Sequence, residues 1–71
     1  MKYAVVIEKT TNNFSAYVPD LPGCVATGAT QSEVEGEIRA AILFHLNGLR
    51  ADGEPVPAPR SVVEYIEAPA A

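Results

Sequence analysis

Val18-Pro19-Asp20-Leu21-Pro22-Gly23-Cys24 is the stretch on which the fold of this chain turns. Two prolines fix φ and remove backbone donors, so strand pairing must stop here. Gly23 can take a positive φ that other residues resist. The segment reads as a rigid corner, with β-rich sequence on both sides. Upstream, residues 2–8 carry Tyr3, Val5, Val6 and Ile7, residue types enriched in strands. Thr10-Thr11-Asn12-Asn13 is a polar turn cluster. Phe14-Ser15-Ala16-Tyr17-Val18 alternates around apolar Phe14, Ala16 and Val18, which predicts a hairpin between residues 2–8 and 14–18. Downstream, residues 24–29 read as a third strand, with Gly28 marking a bulge or a close approach.

Thr30-Gln31-Ser32-Glu33 fits a capping box. The Thr30 hydroxyl would accept from the Glu33 amide, and the Glu33 carboxylate would reach back to the Thr30 amide. A second cap is available at Ser32. Acidic residues at 33, 35 and 37 suit the positive end of a helix dipole, and Arg50 suits the other end. The spacing predicts a helix over 31–51, roughly 30 Å long at about 1.5 Å per residue. Val34, Ile38, Ala41, Ile42, His45 and Leu49 share one face, which packs on the sheet. Asp52-Gly53 ends the helix. Pro55, Pro57 and Pro59 enforce an extended linker, and residues 61–67 (Ser61-Val62-Val63-Glu64-Tyr65-Ile66-Glu67) read as a fourth strand. The order is β-β-β-α-β, an α+β fold with a three-stranded meander, one long helix and a returning strand.

The 71 residues have room for one domain, expected over 1–67, with 68–71 as a frayed tail. A balance of 48% hydrophobic and 20% charged residues is that of a globular chain. The apolar runs are too short to span a bilayer or to form a signal peptide, so the expected location is cytoplasmic. Small domains without disulfides or metals often gain stability by oligomerising, and a self-association surface is expected. Cys24 is the only cysteine, which excludes an internal disulfide and any Cys/His metal pattern. It is read as a small buried residue on a strand and not as a reactive thiol. The net charge of −4 comes with five scattered basic residues, Lys2, Lys9, Arg39, Arg50 and Arg60. Nucleic-acid binding draws on clustered Lys and Arg. An acidic domain suits a basic partner, although the same charge also serves solubility.

Few residues offer chemistry. His45 lies mid-helix on the apolar face. A catalytic role would need a positioned partner, and a packed histidine with one nitrogen satisfied is the simpler reading. Glu8 and Asp20 fall near strand ends, but two carboxylates are not the converging set that metal-dependent phosphodiester hydrolysis requires. Asp20 can bond local backbone in an Asx-type turn. No catalytic, cofactor-binding or metal-binding residue is assigned. Leu43 and Phe44 are different. They project away from the sheet-facing stripe, beside Ala40 and Asn47, which makes them either a contact surface or a fold over the sheet edge. Glu33, Glu35 and Glu37 are accounted for by capping and solvation, and more weakly as an acidic patch.

Taken together, the Val-Val-Ile-Glu-Lys strand, Ser15-Ala16-Tyr17-Val18-Pro19-Asp20-Leu21-Pro22-Gly23-Cys24, the Thr27-Gly28-Ala29-Thr30 cap, Ala41-Ile42-Leu43-Phe44-His45-Leu46 and Gly53-Glu54-Pro55-Val56-Pro57 resemble the HicB-like antitoxin family. The resemblance covers nearly the whole chain. It implies a partial RNase H-like fold of the same β-β-β-α-β order. It further implies a type II antitoxin that neutralises a small basic HicA-like toxin, an mRNA-cleaving enzyme, by covering its active surface. The family is not expected to retain nuclease activity of its own, and its members commonly self-associate. Many carry a C-terminal DNA-binding domain. Here the chain stops just after the expected fourth strand, so no DNA-binding domain and no direct DNA contact are expected.

The leading expectation is therefore a non-enzymatic antitoxin-type binder, a homo-oligomer (dimer or tetramer) with no cofactor and no membrane association. Asp20, Glu37, Leu43, Phe44 and Asn47 are the expected contact residues for the partner or for self-association. The alternatives are a solitary self-assembling binding module and a residual metal-dependent RNase H-like nuclease.

Overall fold

The computed structural model describes residues 1–70. The corner at 18–24 is two consecutive turns. The Leu21 amide donates to the Val18 carbonyl and the Cys24 amide to the Leu21 carbonyl, at 3.1 and 3.0 Å, and the Val18 amide closes the pair on the Cys24 carbonyl at 3.1 Å. Pro19 and Pro22 each occupy the second position of a turn, where a fixed φ is an advantage. Gly23 supplies the positive φ of 83° that follows Pro22 in a type II turn. The double turn drives three side chains inward at a spacing of three. Val18, Leu21 and Cys24 are all buried, and Leu21 is only 1% exposed.

Three strands surround this corner. β1 (Val6–Lys9) pairs antiparallel with β2 (Phe14–Tyr17), and β2 pairs antiparallel with β3 (Val25–Gly28), in spatial order β1-β2-β3. The β1–β2 loop is closed by Thr10, whose amide donates to the Asn13 carbonyl at 2.8 Å and whose hydroxyl accepts from the Asn13 amide at 3.1 Å. Ile7, Ala16 and Ala26 share one row, which points into the core. The next row, Val6, Tyr17 and Val25, points to the open face because successive side chains alternate.

The helix α1 (Gln31–Ala51) begins and ends as its local chemistry dictates. The Thr30 hydroxyl accepts from the Glu33 amide at 3.0 Å. The return half of the expected capping box differs: the Glu33 carboxylate accepts from the Ala29 amide, 3.1 Å away, and not from Thr30. At the other end, Gly53 at φ 69° lets its own amide reach the Arg50 carbonyl and the Glu54 amide reach the Leu49 carbonyl, the paired bonds of a Schellman ending. The buried helix residues are Val34, Ile38 and Leu46. Leu46 lies at the flank of the expected stripe and is more buried than His45, which sits half-exposed.

The fourth strand expected over 61–67 is absent among the described residues; residues 54–70 run without strand pairing. After Gly53 the proline-rich segment crosses the end of the sheet. Val56 packs on the core, and the Tyr3 hydroxyl donates to the Pro57 carbonyl. Residues 61–67 have strand-forming side chains but no neighbouring edge within reach, and a strand needs both.

Where the helix sits follows from a short connection and one glycine. Only Ala29 and Thr30 separate β3 from α1, so the helix must start over β3. A Cβ added at Gly28 would lie 2.6 Å from the Val34 nitrogen, so the absence of a side chain permits that approach. The helix accordingly packs on β3 and β2 and barely touches β1. Gly28→Ala is expected to cost about 1–3 kcal/mol by overpacking, measured by urea denaturation; an unchanged midpoint would show that strand and helix can part freely. Leu21→Ala, which empties the corner, is expected to cost about 2–5 kcal/mol in the same assay.

Candidate functional site

Beyond Tyr17 and Val25 on the open face of the sheet, the exposed apolar side chains gather on three surfaces. The first is the outer face of α1. Leu43 is 61% and Phe44 83% exposed, so Phe44 does not fold over the sheet edge. Glu37, seven residues before Phe44, and Asn47, three after it, are also exposed, and spacings of seven and three keep them on that face. The sequence thus brings Glu37, Leu43, Phe44 and Asn47 onto one open strip: an aromatic anchor with a carboxylate on one flank and an amide on the other.

The second surface is a groove between β1 and the helix. Because α1 leans over β2 and β3, Val5 and Ile7 are left facing Ile38 and Ile42 across an open space of about 290 Å³, bordered by Glu35 and Arg39. Nothing in the sequence marks this groove, because it arises from the offset of the helix. The third is the segment after the prolines, where Val62, Val63, Tyr65 and Ile66 are exposed, Tyr65 at 95%.

Asp20 lies apart from the helix strip. Its carboxylate accepts from the Arg60 amide at 2.8 Å, the Ser61 amide at 2.9 Å and the Ser61 hydroxyl at 2.8 Å. A local Asx turn was the simple expectation; instead the side chain grips backbone 40 residues away. Those bonds favour the charged form, so the Ser61 amide first, then the Arg60 amide and the Ser61 hydroxyl, hold the Asp20 carboxyl below its ordinary value. Burial pushes the Cys24 thiol up, which suits a packed residue more than a nucleophile.

The candidate nuclease carboxylates do not meet. Glu8 pairs across the sheet with Ser15, whereas Asp20 lies beyond the far end of β2. Two residues of strand and the first part of the turned corner separate Ser15 from Asp20. Among the described residues no group of three His, Cys, Asp or Glu side chains is placed to hold a metal ion, and no helix is long and apolar enough to cross a membrane.

A family profile described as the HicB-like antitoxin of bacterial toxin–antitoxin systems matches residues 3–71. The chain belongs to that family. In structure it is similar to a chain of a solved HicA3 and HicB3 toxin–antitoxin complex, which superposes with a TM-score of 0.72 at 32% identity, covering 83% of this chain and 70% of the other. An uncharacterised 14.9 kDa protein of Haemophilus phage HP1 is 38% identical over 69 residues, 97% of this chain and 52% of the phage protein. A UPF0150 protein of Thermoplasma acidophilum is 36% identical over 58 residues, 80% of this chain and 84% of its own length. The chain thus spans about half the length of its phage relative.

Asp20→Ala is expected to free the backbone at 60–61 while leaving the helix intact. Tryptic cleavage after Arg60 should accelerate with no change in helical circular dichroism; equal cleavage rates would mean the grip is not held in solution. The pH dependence has a definite sign. Unfolded, Asp20 titrates near its ordinary value of 3.8, and folded it titrates lower. The grip is therefore fully present above that ordinary value and is lost as pH falls through the folded value. An NMR titration should show the Asp20 carboxyl and the Ser61 amide moving together below pH 3.8.

Proposed function

We infer that this chain neutralises a small, basic, HicA-like mRNA-cleaving toxin by covering its active surface, in the cytoplasm and without catalysis of its own. The observation that carries this reading is the likeness, at a TM-score of 0.72, to a chain of a toxin–antitoxin complex, joined to the family match over residues 3–71. The outer face of α1 is the contact strip. Phe44 is the anchor, Leu43 and Asn47 extend the strip, and Glu37 supplies the charge that a basic partner would meet. Exposed aromatic residues on a rigid helix lose little entropy on binding and tend to dominate interface energy. An acidic rim adds mainly to the rate and orientation of encounter. Asp20 contributes at one remove, by holding the segment after the prolines.

In this reading residues 1–67 act as one toxin-binding domain that also self-associates, as a dimer or tetramer. The domain takes no direct part in DNA binding, since its five basic residues form no stripe.

Co-expression with the neighbouring reading frame tests the proposal. The chain should co-purify with a small basic protein and relieve the growth arrest that protein causes. If it neither binds nor rescues, the reading fails. Phe44→Asp should weaken the complex by roughly 30-fold or more, the effect of losing about 2 kcal/mol at a binding hot spot. Titration calorimetry would measure this, with circular dichroism confirming an intact helix.

A further inference from the structure

We propose that residues 62–66 of one copy of this chain lie as an added strand along the β1 edge of a second copy, filling the groove between β1 and α1, with the exchange made reciprocally. The inference rests on the self-association part of the reading above and gives it a segment, an acceptor and a geometry.

Donor and acceptor are each incomplete in the same way. The donor, Val62-Val63-Glu64-Tyr65-Ile66, holds four apolar residues of strand-forming type. All four are exposed, and none pairs within the chain. Apolar side chains on both sides of an extended segment are the pattern of a strand covered on both faces. The acceptor is an edge strand with no outer neighbour. Its inward residue Ile7, and Val5 just before the strand, face Ile38 and Ile42 over a gap of about 290 Å³. A strand laid on this edge would satisfy the free backbone groups of β1 and cover those four side chains together.

Within its own chain the segment is not seated on that edge. Val56 and Pro57 are fixed near Tyr3, and the Asp20 carboxylate fixes residues 60 and 61 at the end of β2. Residues 57 and 60–61 are thus held in turn at this end of the sheet, and residues 62–66 beyond them are exposed and without strand pairing. The shape agrees. The radius of gyration is 14.1 Å and the long axis 50 Å, where a compact chain of this length has a radius near 11 Å. The grip also fixes the direction of departure, which lowers the entropy cost of docking.

A second copy fits better than a foreign strand because the match is reciprocal. Each copy offers one donor and one acceptor, and a two-fold axis uses both pairs and closes the assembly. Charge is balanced at the groove, where Glu35 and Arg39 both border it, so the match rests on the apolar side chains, with Arg39 open to Glu64 or Glu67 of the donor.

Sedimentation equilibrium of the full chain without any toxin should show a dimer. Val62→Asp and Ile66→Asp sit on exposed positions, so the fold should survive, and each should raise the dimer dissociation constant about tenfold or more. To locate the contact, Ile66→Cys and Arg39→Cys proteins are mixed with a short bis-maleimide, with buried Cys24 left in place; a cross-linked species holding one of each is expected. A monomer at every concentration would overturn the proposal. So would a dimer indifferent to both aspartates, one lost instead through Phe44→Asp, or cross-linking only within a chain that carries both cysteines. If the aspartates leave the mass unchanged but abolish toxin binding, the groove belongs to the toxin and the proposal also fails. A dimer that does not rescue cells sinks only the antitoxin reading, and a monomer that does rescue sinks only this one.

Discussion

The closed double turn at Val18–Cys24 is the constraint on which the rest of the molecule depends. A domain this small has few residues to spend on a core, and a loop that buries three of its seven is an economical use of them. The turn must reverse the chain between β2 and β3 while keeping Val18, Leu21 and Cys24 on the inner side. That requirement explains both prolines and the positive φ at Gly23. It also fixes where Asp20 points. With its neighbours turned inward, Asp20 is left at the rim, where the backbone of residues 60 and 61 passes.

A second constraint acts at the opposite end of β3. Two residues and a glycine force the helix to start against β3, and a straight 21-residue helix then cannot also cover β1. The uncovered flank is thus a geometric consequence of the connection, as is the outward strip of Leu43 and Phe44 on the other side of the helix. The domain buries what its connectivity allows and leaves both the groove beside β1 and the outer strip of α1 open.

The parts of this structure legible in the sequence are those set by neighbouring residues. The helix boundaries at 31 and 51 were readable because Thr30, Glu33, Asp52 and Gly53 act within a few residues of one another. The corner was readable for the same reason. The exposure of Leu43 and Phe44 followed from helical angle alone. Strand ends were less legible: residues 2–5 have strand-forming side chains but lie outside the ladder of β1. The missing fourth strand is the clearest case. Its side chains state a preference for a pleated, partly covered surface, but whether such a surface lies within reach depends on the path of residues 54–61. That path is set by Tyr3 and Asp20, 54 and 40 residues away from their partners. The groove was invisible for a related reason, since it is the space left by packing and belongs to no motif.

The span of the Asp20 grip bears on the order in which the molecule assembles. Each strand pairs with its neighbour in sequence, and such local contacts form early because little chain entropy is lost in closing short loops. The bonds from Asp20 to Ser61 join residues 41 apart. Closing so long a loop is costly in an open chain and cheap only once the helix has docked and carried residue 53 back to the sheet. The meander and helix should therefore form first and the grip last. The final segment would then acquire its direction on a core already complete.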